Sequence, residues 1–202
     1  GGKSFKSSIK QTADIINPPI KNPNNFIWLL SSNRSIVFST LNIINKYIIE
    51  TANEFAAVVT GNLFDANGQV FSTQYVAFKV SEDVKAFNLN NTDSTVDFSK
   101  DMTAEQVKAA LEGANVTTLW KSVNPFMGKL DGSGIEVYGL KATDSYAALI
   151  PHVAYSATVQ NLTIKNSYFY GRYASALVGY NNRPDGKNHA IMTYRNLVAH
   201  GN

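Results

Sequence analysis

Asn161-Leu162-Thr163-Ile164-Lys165-Asn166-Ser167-Tyr168-Phe169-Tyr170-Gly171, running on to Ala176-Leu177-Val178-Gly179-Tyr180, carries the pattern on which the fold turns. Leu162 and Ile164 stand at period 2, Asn166 follows two residues later and Phe169 three after that, which spells a strand, a corner and a second strand. Near the amino end Leu41, Ile43, Asn45 and Ile48 repeat that spacing and lead into Phe55-Ala56-Ala57-Val58-Val59. Arg195-Asn196-Leu197-Val198-Ala199-His200-Gly201-Asn202 begins the phrase a third time. A strand this short cannot bury its inward face alone, so copies must stack on one another as a solenoid.

Composition bounds the answer. At 202 residues, 44% apolar, the chain can bury a sizeable core. Charged residues make up 16%, below the usual share of about 25%, and the space goes to Asn, Ser, Thr and Tyr, which favour turns and strands. With no cysteine there is neither a disulfide framework nor a thiolate metal site. A formal charge of +3 comes without any run of four Lys or Arg, so nucleic acid is not expected as a partner. Phe26-Ile27-Trp28-Leu29-Leu30 is far too short for a membrane span, and membrane insertion is not expected either. A Gly1-Gly2 start without Met and a phrase broken off at Asn202 give the expectation that both ends belong to something longer.

Along the chain, residues 1–25 carry Pro18-Pro19 and Pro23 and read as an extended lead or linker. Residues 26–98 read as β-rich, either further solenoid coils or an immunoglobulin-like, β-sandwich-like module. Their clearest signal is a hairpin, with Ala57–Thr60 and Val76–Val80 flanking Asp65-Ala66-Asn67-Gly68. Asp65, Asn67 and Gln69 alternate like a fragment of a calcium loop, but the turn reading accounts for them. Thr103-Ala104-Glu105-Gln106 is a capping box, so one short helix is expected through Leu111, with Val107, Ala110 and Leu111 on its apolar face. Such a helix would cover an open solenoid end, which begins the expected third region, a capped solenoid over 99–202.

Leu130-Asp131-Gly132-Ser133-Gly134-Ile135 with Gly139-Leu140, then Asn161-Leu162 through Asn166-Ser167, then Ala176-Leu177-Val178-Gly179-Tyr180-Asn181 resembles GLUG-type repeats. Tyr146-Ala147-Ala148-Leu149-Ile150 is the matching piece for Ala174-Ser175-Ala176-Leu177-Val178, with Ala148 and Ala176 where the repeats usually hold a second glycine. The likeness covers about a third of the chain, from Leu130 to Asn182 and again from Asn196. GLUG-type repeats occur in bacterial surface adhesins and are similar to pectate-lyase-like right-handed parallel β-helices. The resemblance therefore implies an all-β fold of that kind, an extracellular or cell-surface location and a role in adhesion. Its recurring residues are packing and corner residues, so it implies little about chemistry.

Enzymes on such folds use carboxylates from adjacent coils, and Asp131, Glu136, Asp144 and Arg172 are the residues here that stacking would bring near one another. No paired carboxylates stand in this half, however, and Asp131 sits where a turn wants Asp. His152, His189 and His200 lack companions at ligand spacing; no cofactor or metal is expected, with calcium left open. Tyrosines crowd the last third. If Leu162, Ile164 and Phe169 point in, Tyr168 and Tyr170 point out, and with Tyr173 they form a platform for a glycan or protein on a cell surface. Three roles remain open: adhesion by that face, a polysaccharide lyase or hydrolase of the phage-tailspike kind, and a structural virion or surface-layer component, which an oligomer would favour.

Overall fold

Alternating apolar residues make the strands of this chain. In the computed structural model, residues 45–65, 67–155, 157–182 and 193–200 are described, the last eight by their backbone alone. The main sheet runs in the order β1 (Asn45–Ile49), β2 (Val76–Val80), β4 (Lys129–Tyr138), β8 (Thr158–Lys165) and β12 (Thr193–His200), with β3 (Ala86–Asn88) paired to the second half of β4. Three two-stranded sheets complete it: β5 (Lys141–Ala142) with β9 (Tyr168–Phe169), β6 (Tyr146–Ala147) with β10 (Tyr173–Ala174), and β7 (Ile150–Ala154) with β11 (Val178–Asn182). Each of these pairings is parallel. Residues 129–154 thus lie along 158–182 segment by segment, with paired positions 27 to 29 residues apart. The described chain is strand-rich, in the all-β class, and its sheets are small.

Pairing in register puts like on like. Tyr47, Phe78, Leu130 and Val159 form one buried row, Ile135 pairs with Leu162, and Val137 with Ile164. Each such side chain taken fully out of water contributes about 1.5–3 kcal/mol. A single apolar cluster extends from Tyr47 to Ile164, so strands on both sides of residue 98 share one core. Leu197 pairs with Leu162, the register that the repeated Asn-Leu spacing predicts. Leu162 and Ile164 are buried and Phe169 packs partly buried against the same cluster.

Elsewhere the repeat is corrected. Leu41 and Ile43 lie outside the described residues, as does the strand pattern expected over 26–38. Asn45, matched by spacing to the corner residue Asn166, instead begins β1 opposite Val76, and Ile48 is exposed rather than inward like Phe169. Ile150 pairs with Val178 as the spacing predicts, but Tyr146 pairs with Tyr173 where the spacing gave Ala174. The chain holds one residue more between 174 and 178 than between 147 and 150, and a slip of one flips every side chain. The glycine-rich piece after Leu130 is no corner either: β4 continues through it, with a bulge between Asp131 and Ile135 opposite Gln160 and Leu162.

Two helices, not one, are present among the described residues. Ala57–Thr60, expected as the first hairpin strand, belongs to α1 (Ala52–Thr60). Thr51 caps it by accepting from the Glu54 N–H at 3.1 Å, and Glu54 Oε2 accepts from the Glu50 N–H at 3.0 Å. Gly61, at φ 66°, ends it by donating to the carbonyls of Ala57 and Val58. The Asp65–Gln69 turn does exist, closed by a bridge between Phe64 and Val70. Asp65 Oδ1 accepts from the N–H groups of Asn67 and Gln69, so those residues serve the turn. The second helix, α2 (Ala104–Leu111), has the expected capping box between Thr103 and Gln106. Its Val107 and Leu111 bury against Phe98 in a separate small cluster, with Met102, Ala110, Tyr138 and Tyr168 around them. The residues that α1 buries, Phe55 to Val59, belong to the main cluster, whereas α2 packs in the smaller one.

Gly61 is required twice over, because a Cβ there would fall 1.8 Å from the Asn124 carbonyl oxygen and φ is left-handed. Gly61→Ala is expected to cost well over 1 kcal/mol in urea unfolding, whereas Gly113→Ala, into open space, should be neutral or slightly stabilising.

Candidate functional site

The path to the tyrosines starts at a corner. Gly139 (φ 80°) and Asn166 (φ 47°) both take left-handed backbone, and the Gly139 N–H donates to the Asn166 carbonyl at 3.1 Å, so the two corners stack. Asn166 is fully buried, and its amide donates to the carbonyls of Phe98 and Lys100 at 2.8 and 2.7 Å. This clamps the segment leading to α2 against the end of β8. Beyond the corner Phe169 packs against the core while Tyr168 and Tyr170 flank it, with rings 6.4 Å apart and inclined by only 15°. Tyr170 is 69% exposed; Tyr168 is half-buried against the α2 cluster.

A groove of about 610 Å³ runs between α2 and residues 167–170, with Glu105, Lys108 and Glu112 on the helix side facing Tyr168 and Tyr170. Lys108 pairs with Glu112 at 3.7 Å, the i,i+4 spacing of a helix face. Lys141 holds the far end of the helix: its ammonium donates to the carbonyls of Glu112 and Ala114, each at 2.7 Å. A cation there answers both the unpaired carbonyls and the negative end of the helix dipole. Its Nζ lies 5.8 Å from the centre of the Tyr168 ring. Asn91 locks the same strand, accepting from the Lys141 N–H and donating to the carbonyls of Lys141 and Thr118.

Tyr173 belongs to a second aromatic group. Because β6 and β10 are in register, Tyr146 stacks on Tyr173 at 5.3 Å, and Tyr146 also stacks on Tyr180 at 5.0 Å. His152 stands edge-on to Tyr180 at 5.1 Å, and the Arg172 guanidinium lies 5.5 Å over the Tyr173 ring. Tyr173 and Tyr180 are 46% and 39% exposed. His152 Nε2 is buried without a hydrogen-bond partner, and that burial lowers the imidazole pKa below its usual 6.5.

The three tyrosines singled out by sequence are therefore divided: Tyr168 and Tyr170 stand beside α2, while Tyr173 joins Tyr146, Tyr180 and His152. Of the four residues expected to converge if the fold were catalytic, Asp131, Glu136 and Arg172 have separate partners. Burial raises the Asp131 pKa, but the Ser133 N–H, the side chains of Asn161 and Gln160 and the charge of Lys79 together hold it below the ordinary carboxylate value. Glu136 lies 4.0 Å from Lys165, and Arg172 rests on Tyr173. Among the described residues no three His, Asp or Glu side chains gather as a metal site, and no helix is long and apolar enough to cross a membrane. His189 lies outside the described residues. The groove and Lys141 had no sequence signal, since both depend on α2 lying against β9. Compared with known proteins, the chain matches no family model, no curated protein and no solved structure.

Lys141→Met should lower stability by about 1–3 kcal/mol through the stranded carbonyls of Glu112 and Ala114, measured by urea unfolding. His152 titrates with a lowered folded value, so the unfolded chain binds its proton first. The contribution is present above about pH 6.5 and is lost as pH falls through the folded value. The melting temperature should fall from pH 7 to pH 5, and His152→Leu should flatten that slope.

Proposed function

We propose that this chain is a segment of a secreted or surface-displayed right-handed parallel β-helix protein, of the kind that GLUG-type repeats build, and that it acts in adhesion. What supports the β-helix is the succession of parallel pairings: β4 on β8, β5 on β9, β6 on β10 and β7 on β11, in chain order. Stacked corners at Gly139 and Asn166 fit the same reading. On such a scaffold a ligand-binding face comes from side chains that recur on the outside of successive turns.

The observation that carries the functional reading is the aromatic run of residues 146–180. Tyr146 stacks on Tyr173, its partner across the parallel β6–β10 pair, and on Tyr180 of β11, at 5.0–5.3 Å, with Tyr168 on β9 and Tyr170 just past its end. Parallel pairing fixes these rings, so little side-chain entropy is lost when a ligand arrives. Flat faces with hydroxyl rims suit the alternating apolar and polar surfaces of a glycan, and each ring adds about 0.5–1.5 kcal/mol beyond its buried area. The separate partners of Asp131, Glu136 and Arg172 favour binding over depolymerisation.

Tyr170 and Tyr173 are the variants of choice, because their exposure separates binding from folding. Tyr170→Ala with Tyr173→Ala should weaken binding in a glycan array more than tenfold, about 1.4 kcal/mol, while the melting temperature moves by less than about 2 °C. Tyr168→Ala should instead cost stability, since that ring packs on the α2 cluster. Retained glycan binding in the double variant, or depolymerisation of any polysaccharide by the wild type, would overturn the adhesive reading.

A further inference from the structure

From the groove between α2 and residues 167–170 we infer that the glycan is cationic: an oligosaccharide bearing free amino groups, that is, de-N-acetylated hexosamine. The inference rests on the glycan-binding reading and specifies its ligand at one place, the cavity of about 610 Å³ walled by α2 and by Tyr168 and Tyr170. That volume lies inside the span of about 300–1,000 Å³ typical of small-ligand sites.

Two features of the groove set the ligand's chemistry. Near-parallel rings of Tyr168 and Tyr170 offer aromatic faces, which take the apolar side of a pyranose and also attract a cation through the ring quadrupole. The Lys141 ammonium, 5.8 Å from the centre of the Tyr168 ring, shows that this ring already accommodates one cation. The second feature is charge. Lys108 is engaged by Glu112, and among the described residues no cation pairs with Glu105, which leaves one carboxylate in the groove wall without a counter-charge. Its surroundings do not cancel it: residues 93–112 hold five carboxylates against two lysines, and with Lys141 and Lys165, whose ammonium groups reach this segment, the local charge is −1 in a chain whose formal total is +3. A ligand entering here meets a negative field that the protein as a whole does not have. An anionic sugar would be repelled, a neutral one would leave Glu105 unanswered, and an amino sugar supplies both the flat face and the ammonium. A lysine-rich peptide supplies the charge but presents only methylene stems to the two rings.

The test measures affinity of the whole chain by isothermal titration calorimetry at about pH 6 for the glucosamine tetrasaccharide, its fully N-acetylated counterpart and an oligolysine peptide. The amino form should bind at least tenfold tighter than the acetylated form and the peptide. Glu105→Gln should remove that preference while leaving the acetylated form unchanged, and Glu105→Asp should restore most of it. Because Glu105 is exposed on the first turn of α2, circular dichroism of both variants should match the wild type. Equal or tighter binding of the acetylated form, an undiminished preference in Glu105→Gln, or oligolysine binding as tightly as the amino sugar would overturn the inference. The underlying reading fails differently: no saccharide binds at all, or binding survives Tyr170→Ala with Tyr173→Ala.

Discussion

The structure depends on apolar side chains sitting in register across parallel strands. Ile135 on Leu162 and Val137 on Ile164 bury one inward face, and the same two strands carry Glu136 and Thr163, Tyr138 and Lys165 on the other. Because side chains alternate with period 2, sliding β8 by a single residue would exchange the two sets, exposing Leu162 and Ile164 and burying Lys165. That cost is several kcal/mol on these strands alone, given about 1.5–3 kcal/mol for each large apolar group. Register in the core therefore dictates register at the corners and at the short strands beyond them, which places Tyr146 against Tyr173.

Corners and crossings are held by polar groups whose chief partners are backbone. Asn91 takes the Lys141 N–H and gives to two carbonyls, Asn166 gives to two more, and the Lys141 ammonium closes the end of α2. All three are buried, where an unpaired carbonyl or amide would cost about 1–3 kcal/mol, so each ties distant pieces of chain together by satisfying what burial would otherwise leave open. These ties hold α2 and the segment before it beside β9, and the groove exists because of them. Trp120 does similar work, donating its indole N–H to the Leu149 carbonyl at 2.9 Å.

Local signals were legible where they rest on chemistry within four residues. The capping box at Thr103–Gln106 is present as written in the sequence. The equivalent signal for α1 was also there: Thr51-Ala52-Asn53-Glu54 is a Thr-x-x-Glu pattern, and Gly61 is the glycine expected past a helix end. The run Ala57-Val58-Val59-Thr60 overrode it, because β-branched residues favour strands when read alone. Within the core their bulk packs equally well on a helix, and all four are buried. Tertiary burial decided against intrinsic preference there.

By itself the sequence determined the strand alternation, the corner at Asn166, the pairing of Leu197 with Leu162 and the outward placement of Tyr170. These follow from side-chain period and from the backbone that Asn and Gly accept, which are properties of a few neighbouring residues. Tertiary structure alone decided that Tyr146 meets Tyr173, that Lys141 closes α2, and that Glu105 faces Tyr168 and Tyr170 across a groove. Each of these joins residues 27 or more positions apart, and their proximity is set by the number of residues in each turn and by what the core can bury. A single added residue between 174 and 178 shifted the tyrosine pairing, and no local pattern records which of two equally apolar registers the packed core will choose.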